Sequence, residues 1–515
     1  MKKTTHVLLG ALLGASAHLP ATAQTDPGAV QRLDQDNRER FEQQQQLEKR
    51  APQAPAIGVP GQADQPGGQS DVKNIPVTRF EVDRSELLTP AQIAAVLEPL
   101  QGRTVSLNDL FAAVGRLNAL YEAQGVQTAR AILPAQDIAA GVVKIRLIEA
   151  HLGAIQLSGA QYLKPGFVTE RIHQQPGDLV SVTRLEADLV RFNALYESQL
   201  RADVVAGAEV GTTDIALVVQ ETPRYQLTTF ADNAGRDTVG EGRVGLVFRA
   251  NHLLGVHDSM QVVVNGSQGA KSYGLSYSVP VSRDDLRLDI AYTQGRIKIV
   301  DGPFEPLDIT GRSKDFSLGL SQPFAVDLNG QWAAYGRFSA RNSLSRFGGI
   351  TQSDVDLNVL ALGVRGQARD ERRAWSLDGS LNIGTKALGG EQHFAYFRGQ
   401  ASRVDHVGER TQLLTRAGLQ HSFSRILPAG EQFQVGGLYS VRGFSEGLLT
   451  GRDGYSVGLE LRQLLKAPSA QEQAALVPTV QGLVFLDHGA AFPYRPGQSI
   501  SNDDYLTSAG LGLAL

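Results

Sequence analysis

There is no cysteine among the 515 residues, so neither a disulfide framework nor a thiolate metal centre is open to this chain. An excess of either charge is missing too: the formal net charge is −4, and acidic and basic residues are interspersed. That balance leaves no electrostatic footprint for a nucleic acid. Beyond the first two dozen residues, no apolar run approaches the roughly 20 residues of a membrane-crossing helix. H-E-x-x-H and G-x-x-x-x-G-K-[ST] are both missing, and no enzymatic role is expected. His252 and His257 near a loop, and His488 beside Asp487, read as scattered side chains; no metal and no cofactor is expected.

What is present begins with an address. Lys2 and Lys3 precede an apolar stretch from Val7 to Ala15, and Ala21-Thr22-Ala23 fits a small-residue cleavage site. Residues 1–23 are therefore expected to be a signal peptide, leaving Gln24 first. An exported chain without spanning helices is either soluble or a β-barrel, the other structure that pairs every backbone group in lipid.

Residues 24–50 are rich in Gln, Glu and Arg, and Val30, Leu33, Phe41 and Leu47 form no continuous stripe. A helix this polar needs wet surroundings; a disordered tail is the alternative. Residues 51–74 are a Pro/Gly/Gln linker with nothing to bury. A repeat follows. Arg116–Glu122 reads RLNALYE, and RFNALYE recurs 75 positions later at Arg191–Glu197. Leu110, Val114, Leu117 and Tyr121 share a helix face, matched by Leu185, Leu189, Phe192 and Tyr196. Thr89-Pro90-Ala91-Gln92 starts one helix, Ser106 with Asp109 a second, and Thr183 with Glu186 its counterpart in the second copy. With strands at VTRFEV (77–82), ARAIL (129–133) and VVKIRLIE (142–149), each copy spells β-α-α-β-β, over 75–149 and 150–222.

From 223 to 515 the helical stripes give way to alternation. Tyr273, Leu275, Tyr277 and Val279 alternate with Ser272, Gly274, Ser276 and Ser278; Phe316, Leu318 and Leu320, or Val457, Leu459 and Leu461, behave likewise. About fourteen such runs, reaching about 9–12 residues, have the length of tilted membrane-crossing strands. The expected fold is α+β repeats followed by a transmembrane antiparallel β-barrel. Between two runs lies Gln434–Gly447, QVGGLYSVRGFSEG, a glycine-rich loop around Val441, Arg442, Gly443 and Phe444. Shortly after it comes GLVFLDHG, where Phe485 and Asp487 face opposite to Val484 and Leu486. If the latter pair meets lipid, Asp487 faces the lumen and invites a cation. Arg442 could fold inward to it through a bidentate contact, and Glu460 on the intervening strand is an equally legal partner.

The whole chain resembles the TpsB transporters of two-partner secretion, the haemolysin-activator (ShlB-FhaC-HecB-like) family with POTRA domains. Val441-Arg442-Gly443-Phe444 is similar to the tip of that family's inward-folded loop, here about 424–453. Phe485-Leu486-Asp487-His488-Gly489 is similar to its FxDxG wall motif, whose aspartate receives the arginine; the roles pass to Phe485, Asp487 and Gly489. The resemblance implies a sixteen-strand barrel and a plug-like helix at 24–50. This sequence departs at its end: after FLDHG one strand-like run, DYLTSAGLGLAL, reaches Leu515, so truncation relative to the family is expected. The implied function is export of an unfolded TpsA-type exoprotein, recognised through its N-terminal secretion domain. Strand addition at an exposed POTRA edge would capture it, with Ala129, Arg130, Ala131, Ile132 and Leu133 as the candidate edge. The resemblance places the barrel in outer-membrane lipid, the repeats in the periplasm, and the chain as a monomer. A barrel-assembly insertase and a passive porin are the alternatives.

Overall fold

The computed structural model describes residues 26–48, 57–58, 75–124, 126, 128–209, 212–467, 479–495 and 499–514. The expected signal peptide and most of the expected linker lie outside the described residues. The chain forms two units, one comprising 53–222, the other combining 223–515 with the N-terminal segment up to 52.

Pro27–Glu48 is a single 22-residue helix, α1. Proline stands at its first position, and Asp26 Oδ1 accepts the Ala29 N–H at 2.8 Å, which caps the N-terminus.

In the 53–222 unit, Ile57–Gly58 (β1) belongs to the second repeat. The first repeat runs β2 (Ile75–Val77), β3 (Arg79–Val82), α2 (Pro90–Leu97), β4 (Arg103–Val105), α3 (Leu107–Ala123), β5 (Arg130–Ile132) and β6 (Val142–Ile148). The second runs β7 (His151–Ser158), α4 (Pro165–Thr169), α5 (Val182–Leu195), β8 (Gln199–Ala206) and β9 (Thr212–Gln220). Both share one topology. The first strand is parallel to the last (β3 with β6, β7 with β9), and the middle strand is antiparallel to the last (β5 with β6, β8 with β9).

Two readings need correction. The strand expected over 77–82 is broken at Thr78, whose N–H turns to the Gly141 carbonyl at 2.7 Å, so that β2 pairs instead with β4. The cap of α5 is Ser181, not Thr183: Ser181 Oγ accepts the Arg184 N–H, and Val182 is already helical and buried. Burial of Val182 fixes the helix start one position after Ser181, leaving Thr183 inside the first turn. Capping boxes at Thr89/Gln92 and Ser106/Asp109 start α2 and α3.

The repeated heptapeptide has the same function in both copies. Leu117 and Tyr121, like Phe192 and Tyr196, are buried in the cores. The asparagine between them serves the backbone. Asn118 accepts the Ala131 N–H at 2.7 Å and donates to its carbonyl at 3.3 Å; Asn193 does both to Leu200, at 2.7 and 3.0 Å. A side-chain amide carries the donor and acceptor of a peptide group, so it can satisfy the backbone N–H and C=O on the open side of a strand as a neighbouring strand would. In the second repeat β1 adds a further parallel pairing to β8, Ile57 opposite Ala202.

Among the described residues from Tyr225 to Ala514, fourteen strands (β10–β20 and β23–β25) form one antiparallel sheet in sequence order. β10 (Tyr225–Asp232) and β25 (Tyr505–Ala514) are the ends of that ladder among the described residues. Among the described residues, the sequence order is interrupted between β20 (Thr411–Ser422) and β23 (Asp453–Lys466). There a long loop carries its own hairpin, β21 (Phe433–Val435) with β22 (Leu449–Gly451). Alternation sorts the faces. Tyr273, Leu275, Phe316, Leu318, Leu362, Val457, Leu459, Val484 and Leu486 are exposed on one side, whereas Asn358, Asn382, Arg398, Gln420, Ser456, Glu460 and Asp487 are buried on the other. Trp332 and Trp375, with ring centroids 5.3 Å apart, stand at one end of their strands, as interfacial aromatics do.

What the polar face buries is α1. Asp34 meets Arg243 of β11 (Arg243–Asn251) at 3.3 Å, and Gln35 Nε2 donates to Thr293 of β14 (Arg287–Lys298) at 3.0 Å. Ser343 of β16 (Gly330–Phe347) accepts the Gly28 N–H at 3.2 Å, and Asp36 meets Arg398 of β19 (Phe394–His406) at 3.0 Å. One narrow helix reaches strands as far apart in the ladder as β11 and β19 because the sheet curls around it. The barrel surroundings supply the polar partners that so hydrophilic a helix requires.

Candidate functional site

The long loop folds into the lumen alongside α1. Its root is fixed by Glu431, fully buried, whose carboxylate accepts from Arg341 of β16 and the Tyr396 hydroxyl of β19. Its body is tied to the helix. Gln434 Nε2 donates to the Ala29 carbonyl at 2.9 Å, Asn37 donates to Glu446 Oε2 at 3.0 Å, and Arg40 donates to the Tyr439 carbonyl at 3.3 Å. Glu446 also accepts the Leu438 N–H at 2.7 Å, closing the tip on itself.

At the tip, Val441 is fully buried among Phe433, Val435, Leu449, Ala491 and Leu506, with Phe444 packed against them. Gly443 has φ +84, a conformation side-chain-bearing residues rarely adopt, and nothing lies near its missing Cβ. Backbone shape, not space, makes this position glycine. That turn delivers Arg442 to the inner wall. Its Nε donates to Asp487 Oδ2 at 2.6 Å and its Nη2 to Oδ1 at 2.9 Å, a bidentate pair, while its own backbone N–H adds a third bond to Oδ2 at 3.1 Å. The remaining Nη1 donates to Glu460 of β23. The guanidinium plane lies 3.7 Å over the Phe485 ring, where the ring quadrupole attracts it.

Asp487 and Phe485 belong to β24 (Val480–Phe492), and Asp487 is fully buried. Gly489 on that strand has no room for a side chain: a Cβ would stand 2.8 Å from Val435 and 3.1 Å from Val441. The loop seats against the wall where this glycine is. Sequence reasoning offered Asp487 and Glu460 as alternatives, but one guanidinium reaches both. Ala129–Leu133 lies elsewhere, in the 53–222 unit. There β5 is the last strand of the order β3-β6-β5, and the Ala131 backbone is held by Asn118.

Arg416, Arg462 and α1 itself were not among the site residues read from the sequence. Arg416 on β20 and Arg462 on β23 sit among alternating strand residues, and their inward phase was the signal available. The sequence also contains two G-x-S-x-G strings, Gly443-Phe444-Ser445-Glu446-Gly447 in the loop and Gly454-Tyr455-Ser456-Val457-Gly458 within β23. Neither stands at the strand-to-helix turn that exposes a nucleophile.

Residues 211–515 match the family described as haemolysin secretion/activation protein ShlB/FhaC/HecB, and residues 75–150 match the POTRA domain of ShlB type. The heme/hemopexin transporter protein HuxB of Haemophilus influenzae strain 86-028NP is 24% identical over 478 residues, covering 85% of this chain and 80% of HuxB. The outer membrane transporter CdiB of Escherichia coli O6:K15:H31 is 25% identical over 474 residues, with 84% and 76% covered. Among solved structures, CdiB from Escherichia coli superposes with a TM-score of 0.65 at 21% identity, covering 97% of this chain and 93% of CdiB. BamA from Haemophilus ducreyi lacking POTRA domains 1–3 gives 0.52 at 14% identity, covering 85% of this chain and 93% of that shortened one.

Proposed function

Because this chain belongs to the haemolysin secretion/activation family, outer-membrane transporters with periplasmic POTRA domains that serve two-partner secretion, we propose that it exports one exoprotein as an unfolded chain through its lumen. The exoprotein is of the TpsA type and engages by its N-terminal secretion domain. The chain works as a monomer in outer-membrane lipid and performs no chemistry. Its functional divisions are a signal peptide at 1–23, a plug at 24–50, a linker at 51–74, two POTRA repeats at 75–149 and 150–222, and the barrel from 223.

One observation carries this reading. The lumen is filled by two pieces, α1 and the loop tip, joined to each other and to the wall largely through hydrogen bonds and ion pairs. Such contacts exchange readily for water or for the polar backbone of a passing chain, whereas an apolar core would have to be exposed. Capture at β5 works by the same exchange: an incoming strand replaces the two bonds from Asn118 with its own. Folding of the cargo outside supplies the direction.

The test is Arg442→Ala in the full chain. It is expected to lower exoprotein secretion by at least about tenfold, as loss of a buried charged pair worth several kcal/mol implies, while the barrel still inserts as a heat-modifiable species. Unchanged secretion with normal insertion would remove the loop from the mechanism.

A further inference from the structure

The charges around the loop tip do not balance while it is seated. Among the described residues, three guanidiniums, Arg442 from the loop and Arg416 and Arg462 from the wall, share this space with two carboxylates, Glu460 and Asp487. Arg462 is bonded to Glu460, and Arg442 engages both acids. Arg416 is left over: its Nη2 is buried and has no hydrogen-bond partner among the described residues.

Its position is not accidental to the strand register. Arg416 of β20 is paired with Gly458 of β23, and Gly458 is paired with Asp487 of β24. The cation and the acid therefore stand in one row, separated by the residue without a side chain. A Cβ on Gly458 would lie 2.8 Å from Asp487 Oδ1 and 3.7 Å from both Nε and Nη2 of Arg416. The gap that glycine leaves is shared by the two charged groups.

Withdraw Arg442, and among the described residues the wall keeps Arg416 and Arg462 for Glu460 and Asp487, one cation for each acid. We infer that Arg416 is a positioning residue for loop release: it is the reserve counter-ion of Asp487, repelling Arg442 while the loop is seated and taking its place on the carboxylate when the loop leaves. A buried carboxylate abandoned by its only cation would cost several kcal/mol. A second cation waiting one row position away removes most of that barrier. The empty wall thus stays neutral and folded while cargo occupies the lumen. This inference rests on the proposed function, in which the loop must leave its seat.

The absence of cysteine makes the test direct, because Ser440→Cys introduces a unique thiol next to the buried tip. In outer-membrane vesicles containing the full chain, the rate at which a maleimide labels this thiol reports how often the loop unseats. Arg416→Gln is expected to slow labelling by about fivefold or more, the scale of one removed charge repulsion of roughly 1 kcal/mol. Arg416→Lys, which keeps the charge, should stay near the wild-type rate. A prop that merely supports Asp487 predicts the opposite sign, since its loss would loosen the seat and speed labelling. Should Arg416→Gln fail to insert, Arg462→Gln removes the other wall cation and should slow labelling too. Faster or unchanged labelling in an inserted glutamine variant overturns the inference. Arg442→Ala separates the two readings. Faster labelling there, without slowing at Arg416→Gln, sinks the reserve counter-ion alone; no acceleration at Arg442→Ala sinks the anchoring contact, and this inference with it.

Discussion

The two units of this chain bury opposite things. In the 53–222 unit the interior is aliphatic and aromatic, with Leu117, Tyr121, Leu185, Leu189, Leu200 and Ile215 essentially inaccessible and charged groups such as Arg146 and Lys144 outside. In the barrel the inaccessible positions include Glu431, Asp487, Glu460 and Arg398, while leucines and tyrosines face outward. One backbone chemistry serves both because the solvent differs. A helix stripe is buried to escape water, and a barrel's greasy face escapes water by meeting lipid. The consequence is functional. A core of packed leucines holds its shape against exchange, whereas a lumen closed by hydrogen bonds and ion pairs can be emptied and refilled.

The sharpest way to break that comparison is to remove the same atoms from each unit. Leu117→Ala, at a fully buried site in the first repeat, should destabilise that unit by about 3 kcal/mol. Leu459→Ala, 41% exposed on the outer face of β23, should cost under about 1 kcal/mol in a bilayer, because a lipid tail fills the vacated space. Urea unfolding of the vesicle-inserted protein, followed by hydrogen exchange in each unit, measures both. Equal penalties would mean that the outer face is sealed against protein and not against lipid.

The period of a sequence is legible wherever burial depends on period alone, which explains what could be read before the structure. The repeated stripe through Leu110 and Tyr121 and the alternation through Val457, Leu459 and Leu461 each specify a face without knowledge of what covers it. The Val441–Phe444 and Phe485–Gly489 strings marked the two sides of the loop contact. What could not be read was everything decided by reach across space. Arg442 bridges Asp487 and Glu460 because two adjacent strands present both acids to one guanidinium. Arg416 faces Asp487 only once the register places Gly458 between them. The polar helix at 27–48 has no stripe, so periodicity could not choose between a helix and a tail; the partners that fix it lie 200 to 400 residues away, at Arg243, Arg398 and Glu446.

The 53–222 unit also uses polar side chains, and there a smaller effect tests the contrast. Asn118 and Asn193 each make two hydrogen bonds to the backbone of one strand residue, Ala131 and Leu200. Replacing either by alanine should cost about 1–2 kcal/mol, the usual net worth of two such bonds. The two should part company at the edge they guard. β8 keeps its pairing with Ile57–Gly58 in Asn193→Ala. Asn118→Ala strips β5 of the only partner its Ala131 has on that side among the described residues. Hydrogen exchange at Ala131 should therefore accelerate more than at Leu200, and exoprotein binding, if it occurs at β5, should tighten in Asn118→Ala alone. Tightening in the Asn193 variant instead would move the capture edge to the second repeat.

Acid gives the smallest effect and discriminates between the repeats themselves. The tyrosine of the repeated heptapeptide faces different partners in the two copies. Tyr121 donates to Glu149 at 2.8 Å, whereas Tyr196 accepts from Arg171 Nε at 3.1 Å. Burial pushes the Glu149 carboxyl up, but bonds from the Ser85 hydroxyl, the Glu86 N–H and the Tyr121 hydroxyl outweigh it, and the net displacement is downward. Asp109 is also held below the ordinary carboxylate range, by the Ser106 backbone N–H and hydroxyl of its capping box. A carboxyl lowered in the folded state contributes stability that is present above its unfolded value, about 4 for these groups, and is lost as pH falls through the folded one. The first repeat should therefore hold its stability from neutral pH to about 4.5 and weaken below it. The second keeps a guanidinium at the equivalent tyrosine, which acid does not discharge. Hydrogen exchange at matched pH steps on the full chain should show protection declining first in 75–149. Glu149→Gln should flatten most of that decline, with Asp109→Asn, at an exposed cap, flattening less. A parallel decline in both repeats would place the acid sensitivity outside these two carboxylates.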